Sequence, residues 1–169
     1  MLASEKLIEA FNQQVGNELC ASNQYLAIAS YFERETLPEL ARFFFDQSAE
    51  ERGHAMKFVH FVNDVEGVLA IPEIEAPKPD FVSAAEAVQL SLEWEREVTD
   101  QIYGLIEIAR EESNHIALRF LDWFVDEQLE EVNTMSTLLG IIERAGEDGL
   151  LHVEEFVARE RGHIGPESA

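Results

Sequence analysis

The stretch "GVLAIPEIEAPKPDFV", residues 67–82, decides the topology of this chain. It contains Pro72, Pro77 and Pro79, and proline is excluded from a helix interior because it lacks the backbone N–H and clashes with the preceding turn. A fully extended segment of this length reaches about 50 Å. A helix of about 33 residues has the same length, so the segment can connect one end of a long helix to the other.

Long stretches that are poor in glycine and proline flank this connection, and they predict helices over residues 4–35, 38–66, 83–112 and 116–145. Two tightly joined helices, a long crossover and a second joined pair predict an all-α four-helix bundle whose second and third helices are parallel. We expect a single domain over residues 1–169, with the bundle over about 4–145, a short fifth helix over about 148–161 and a frayed tail over 162–169.

The composition limits the possible partners and locations. The chain has 34 acidic residues against 12 Lys and Arg, and the net charge of -22 disfavours nucleic acid and anionic membranes and favours cations. No apolar run reaches the roughly 18 residues of a membrane span. The first residues lack the pattern of a secretion signal, and the single cysteine, Cys20, cannot form an internal disulfide and is interpreted as a packing residue. We therefore expect a cytoplasmic location.

Each of the four long helices has an inward stripe of apolar residues at spacings of three and four, and each stripe is interrupted near its middle by a carboxylate. The midpoints of equal helices lie at one level of a bundle, so these carboxylates should converge. His54 follows one of them by three positions and shares its helix face. Buried, uncompensated carboxylates are costly, and no Lys or Arg lies on the stripes, so bound divalent cations would neutralise them. The interrupting residues are Glu18, Glu51, Glu95 and Glu131.

For any single helix, the alternative is a boundary glutamate whose stem packs while its carboxylate reaches water. Four interruptions at corresponding depth favour a metal site instead. Oxygen ligands with one imidazole suit iron or manganese rather than structural zinc, and the spacing leaves these two metals open. The remaining histidines have no comparable neighbourhood and are expected in surface or satisfied polar roles: His60, His115, His152 and His163.

Four motifs surround these carboxylates: "NELCASNQYLAIASYF" (17–32), "QSAEERGHAMKF" (47–58), "EWEREVTDQI" (93–102) and "WFVDEQLEEV" (123–132). Together they resemble the ferritin family, and within it the non-haem bacterial ferritins, over nearly the whole chain. The resemblance implies a ferritin-like bundle with a short fifth helix and a di-iron centre. It implies that Glu18, Glu51 and His54 hold one iron, and that Glu51 bridges to a second iron held by Glu95 and Glu131.

The resemblance also implies roles for residues around the two irons. It places a weaker third iron site at Glu50, Glu127 and Glu130, and Gln128 beside the second iron. Tyr25 and Trp123 match aromatic residues that steady oxygen intermediates and supply electrons, and core packing is the alternative role for both. Arg52 stands where bacterioferritins have a haem-ligating methionine, so no haem is expected. Animal ferritins line their threefold pores with acids at positions that correspond to Leu118 and Leu121.

The function implied is iron storage and detoxification. Fe(II) would be oxidised by oxygen or hydrogen peroxide at the ferroxidase centre within one subunit, and Fe(III) mineral would be stored inside a hollow homo-oligomeric shell of 24 copies. The leading alternative is a di-iron or di-manganese redox enzyme that acts on peroxide or an organic substrate and stores nothing. A structural bundle without metal is the third possibility.

Overall fold

The computed structural model describes residues 2–160. This part of the chain contains five α-helices and one short 3-10 helix, and each predicted helix is present with ends that differ by at most two residues. The predicted tail over 162–169, with His163, lies outside the described residues. The helices are α1 (Glu5–Arg34), α2 (Pro38–Asp64), α3 (Ala84–Glu111), α4 (His115–Ala145) and α5 (Leu150–Glu160), and the 3-10 helix is Glu147–Gly149.

Side-chain caps fix where most of these helices begin. Ser4, Ser83 and Asn114 each accept a hydrogen bond from a backbone N–H in the first turn of α1, α3 and α4. The N-cap of α2 makes no such bond. Instead, the Glu154 carboxylate on α5 accepts the N–H groups of Glu39 and Leu40, each at 2.8 Å. This contact caps α2 and fixes α5 against the end of the bundle.

The crossover over residues 67–82 runs along α1 from its beginning to its end. The Asn12 amide donates to the Val68 carbonyl at 2.9 Å, and further along the Gln24 amide donates to the Lys78 carbonyl at 3.0 Å. At the far end Arg34 reaches Asp80 at 3.1 Å. The third helix therefore starts beside the start of the second and runs parallel to it, which confirms the predicted fold class.

Gly16 allows this close approach. A Cβ built on Gly16 would overlap Cγ of Pro72, so a larger residue here would force one of the two residues to shift. Pro72, one of the prolines that exclude a helix in the crossover, thus also packs against α1.

The apolar core consists of two clusters rather than one. The cluster at the α5 end of the bundle includes Tyr25, Phe32 and Phe44, and the cluster at the opposite end includes Phe11 and Phe58. Along each of the four long helices the two clusters are separated by a few buried polar positions. We call these positions the polar layer: Glu18 and Ser22 on α1, Gln47, Glu51 and His54 on α2, Glu95 on α3, and Gln128 and Glu131 on α4.

Within residues 2–160, no helix combines the length and the apolar character required to cross a membrane.

Candidate metal centre

The polar layer contains all four predicted carboxylates and the predicted histidine, and all five are buried. The exposed fractions are 1% for Glu18, 2% for Glu51, 3% for His54, 1% for Glu95 and 3% for Glu131. Every lysine and arginine within residues 2–160 has an exposed side chain. The polar layer therefore buries four carboxylates, and among residues 2–160 the imidazole of His54 is the only basic side chain at the same depth.

Glu18, Glu51 and His54 form the first group that could hold a cation, with one possible ligand atom from each residue lying within 4.8 Å of the others. The His54 ring contacts Glu51 through Nδ1, at 3.3 Å from Oε2. Glu18 Oε1 accepts a hydrogen bond from Gln14, whereas Oε2 is buried without a hydrogen-bond partner among the described residues. A buried carboxylate oxygen without a partner is costly unless a ligand satisfies it.

A second group uses the other nitrogen of the same ring. Glu50, His54, Glu127 and Glu131 offer ligand atoms that all lie within 4.8 Å of one another, and His54 Nε2 is 3.5 Å from Glu127 Oε1. His54 therefore stands between the two groups. Glu130, predicted with Glu50 and Glu127, belongs to neither group and is exposed, although its charge still acts on Glu50.

Glu95 belongs to neither of these two groups, and side chains of its neighbours engage both of its carboxylate oxygens. The Tyr25 hydroxyl donates to Oε1, and the Gln128 amide donates to Oε2 at 3.2 Å and to the Glu95 carbonyl at 3.1 Å. Tyr25 and Gln128 thus hold this carboxylate in place, in line with their predicted position beside the centre. Trp123 is half-exposed, and its ring stands edge-on to the His54 ring, with 5.4 Å between the two ring centroids.

The pKa values of these groups show the strain of burying acids together. Burial and the charge of Glu95 raise the pKa of Glu51 and of Glu131 well above the usual range. Burial also raises the pKa of Glu95 to about 7. Burial lowers the pKa of His54, but its contacts with Glu127 and Glu51 more than offset this and raise it to about 12. Without a cation, the layer is compensated by protons and by an imidazolium.

A divalent cation would replace those protons. The available donors are carboxylate oxygens and one imidazole, a set that suits Fe(II) or Mn(II), and among residues 2–160 neither candidate group contains a thiolate. The unpartnered Glu18 Oε2 and an unpartnered amide oxygen of Gln47 in the same layer would both gain from a ligand. The residues present therefore fit the predicted metal.

Leucines occupy the two positions that were predicted to correspond to the pore acids of animal ferritins. Leu121 is fully buried in the apolar cluster with Phe124, so it lies inside the bundle, and Leu118 is half-buried beside it. Arg52, which stands at the haem-ligand position, has an exposed side chain.

The sequence interpretation missed the polar side chains next to Glu18. Gln14 is buried with 2% exposed, and it contacts Glu18, Asn17 and Gln101. The signal was present as a Gln and a Glu at a spacing of four, which meet on a helix face.

The bundle and the buried carboxylate layer define a class of four-helix proteins with metal sites in their core. Comparison with known proteins narrows this class: residues 8–145 match the model of the ferritin-like domain. The chain is 43% identical to Ferritin BfrB of Mycolicibacterium smegmatis over 152 residues, which is 90% of this chain and 83% of that protein. It is 37% identical to a bacterial non-heme ferritin of Staphylococcus aureus over 161 residues, 94% and 97% of the two chains.

Solved structures agree with the sequence comparison. An open pore ferritin from the archaeon Archaeoglobus fulgidus superposes with a TM-score of 0.90 at 32% identity, covering 92% of this chain and 98% of that one. The chain therefore belongs to the ferritin family, as its motifs predicted.

Proposed function

We propose that this protein stores iron, and that the polar layer is the ferroxidase centre where Fe(II) is oxidised before storage. Iron storage is the activity that membership of the ferritin family supports. The single observation that carries the ferroxidase proposal is the burial of four carboxylates around one imidazole, without a basic side chain of equal depth in residues 2–160. Such a layer is suited to binding cations.

The chain's residues would divide the work as follows. Glu18, Glu51 and His54 would hold one Fe(II), and Glu51 would also bind a second Fe(II) that Glu95 and Glu131 hold. Two adjacent Fe(II) ions can supply two electrons to one molecule of oxygen or peroxide, each ion losing one. Each reaction also takes up two protons: with oxygen the product is hydrogen peroxide, and with peroxide the products are two waters. These protons come from the solvent, because the carboxyls that bind Fe(II) have already lost theirs.

Residues on the outer side of the centre offer a path for the ferric product. Glu131 is buried, Glu50 and Glu127 are half-buried, and Glu130 is exposed, so carboxylates continue from the centre to the surface. We propose this series as the third iron site and its exit. Contact with His54 holds the pKa of Glu127 below its usual range, so at neutral pH this position offers a negative charge to a cation.

The stored iron requires an enclosed space, which a single bundle does not provide. We propose that 24 copies form a closed shell in the cytoplasm. Large apolar side chains that are exposed in one copy would be covered by others, including Val82 at 92%, Leu129 at 75% and Leu151 at 73% exposed. The net charge of -22 would help to concentrate cations in the cavity.

The test is aerobic addition of Fe(II) to the metal-free protein, followed by ferric absorbance and by the iron retained per particle. Replacing Glu18, Glu51 and His54 together by Ala should abolish rapid oxidation. The matched control is a change of His152 and Glu155 to Ala, an exposed pair with the same spacing of three and an N–O distance of 3.6 Å. Rapid oxidation by the triple variant would show that the assigned centre is wrong. Turnover by the wild type with only a few ions retained would favour the redox enzyme.

A further inference from the structure

The side chain of Gln14 controls one oxygen of the Glu18 carboxylate. Gln14 Nε2 donates a hydrogen bond to Glu18 Oε1 at 2.9 Å. Both residues are buried, with exposed fractions of 2% for Gln14 and 1% for Glu18. The other carboxylate oxygen, Oε2, is buried and has no hydrogen-bond partner in residues 2–160. The two oxygens of one carboxylate therefore have different surroundings, one of them held by an amide and the other available.

The orientation of the Gln14 amide is fixed by two further amides. Nε2 of Gln14 also donates to Gln101 Oε1 at 3.2 Å, and Oε1 of Gln14 accepts from Asn17 Nδ2 at 3.2 Å. Asn17 itself donates to Gln101 Oε1 at 3.0 Å. If the Gln14 amide rotated by half a turn, its oxygen would face the oxygens of both Glu18 and Gln101. The network therefore permits only one orientation, with N–H toward Glu18.

We propose that Gln14 is a positioning residue for the metal centre: it holds Glu18 Oε1 by a hydrogen bond and thereby presents Oε2 as the single metal-binding atom of that residue. Asn17 and Gln101 keep the Gln14 amide in the required orientation across α1 and α3. The inference rests on the proposed function, because it assigns a metal-ligand role to Glu18. It adds a determinant of affinity that lies outside the ligand set.

A purely structural role for the same network makes a different prediction. Gln14 and Asn17 join α1 to Gln101 on α3, so their loss could lower stability without changing the affinity of the centre for metal. Metal affinity and stability must therefore be measured separately. Loss of a hydrogen bond to a metal-binding side chain lowers metal affinity by about 10- to 100-fold in proteins.

The experiment titrates Co(II), an air-stable probe for Fe(II), into the assembled metal-free protein and follows the visible absorption of bound Co(II). Gln14→Leu keeps the bulk and removes the donor, and the first Co(II) bound per subunit should bind about 10- to 100-fold more weakly, with an altered spectrum. The matched control is Gln89→Leu, which removes a Gln–Glu bond of the same spacing, 2.7 Å from Glu93, away from the centre. This control should bind Co(II) like the wild type.

A double change separates positioning from packing. In a Glu18→Gln background the further change Gln14→Leu should leave Co(II) affinity unaltered, because the oxygen that it positions is no longer a carboxylate ligand. Equal losses of affinity in both backgrounds would overturn the inference, as would wild-type affinity in Gln14→Leu alone. If Gln14→Leu does not assemble, Gln101→Leu takes its place, since it loosens the same amide. Unchanged Co(II) affinity and spectrum in that variant would equally overturn the inference.

Failure of the proposed function gives a distinct result. If the wild-type protein binds no Co(II) or Fe(II) in the bundle, the centre itself is wrongly assigned. If the wild type binds metal but Gln14→Leu binds it equally well, the centre stands and only the role of Gln14 is refuted.

Discussion

Metal binding at the polar layer should release protons, and the number released should depend on pH. In the metal-free protein, burial raises the pKa of Glu95 to about 7. Burial lowers the pKa of His54, but the contacts with Glu127 and Glu51 outweigh this and raise it to about 12. Carboxylates and imidazoles bind metal in their deprotonated forms. Both groups must therefore lose a proton when a cation binds at pH 6.

The size of the effect follows from these two values. At pH 6, one unit below its pKa, Glu95 is about nine-tenths protonated, and at pH 8 it is about nine-tenths ionised. The proton released from Glu95 on binding should therefore fall by about 0.8 per subunit between pH 6 and pH 8. His54 contributes one proton at both values. Each displaced proton makes metal affinity rise about tenfold per pH unit. On account of Glu95 alone, the affinity should thus rise about sixfold more steeply per pH unit near pH 6 than near pH 8.

The assay is anaerobic titration calorimetry with Co(II) in buffers of different ionisation enthalpy, which counts the protons released. Glu95→Gln is the informative variant, because burial raises the pKa of both Glu95 and Glu50 to about 7, and removing Glu95 should reduce the difference in proton release between pH 6 and pH 8 by its share of about 0.8 proton. Proton release near zero at pH 6 would refute the reasoning, since it would mean that the layer is already ionised without metal. Wild-type release that does not change with pH would refute the role of Glu95.

Three further predictions concern stability, each measured by thermal or denaturant unfolding of the metal-free protein. Folding raises the pKa of Glu95 from 4.5 to about 7, so between these pH values the folded state keeps a proton that the unfolded state loses. The free energy of unfolding should therefore fall by on the order of 3 kcal/mol as pH rises from 4.5 to 7. A rise in stability over this range would contradict the prediction. Gly16→Ala should destabilise the fold because its Cβ meets Pro72. Gly53→Ala has no atom within 4 Å of its Cβ and should stabilise the fold by about 0.5–1 kcal/mol. A stability change of the same sign in both variants would refute the packing argument. Glu154→Gln should cost about 0.5–2 kcal/mol by weakening the cap of α2, and unchanged stability would contradict that role.

The fold could be predicted because its decisive signals are local. Prolines in residues 67–82 exclude a helix there, and the repeat of apolar residues along the flanking segments gives the length and inward face of each helix. The placement of four carboxylates in one layer followed from the equal lengths of the helices. The position of Glu18, Glu51, Glu95 and Glu131 on the inward stripes predicted that these residues are buried, and the structure shows that they are.

The finer arrangement could not be predicted from spacing, because it depends on side-chain rotamers and on contacts across helices. The hydrogen bonds to Glu95 come from Tyr25 on α1 and Gln128 on α4, and spacing along a single helix does not indicate these contacts. The two ring nitrogens of His54 contact two different carboxylates, Glu51 on its own helix and Glu127 on α4, and the second contact depends on how the helices pack. The distance between positions on separate helices is set by packing, which no single helix encodes.

The most direct test of the central claim is the amount of iron that the purified protein retains after repeated aerobic additions of Fe(II), measured on the particle isolated by size-exclusion chromatography. A ferroxidase that feeds a store predicts a large shell that retains many ferric ions per subunit, far more than the two that one centre can hold. A lone bundle of 19.2 kDa that turns over Fe(II) and retains two ions or fewer would contradict the account.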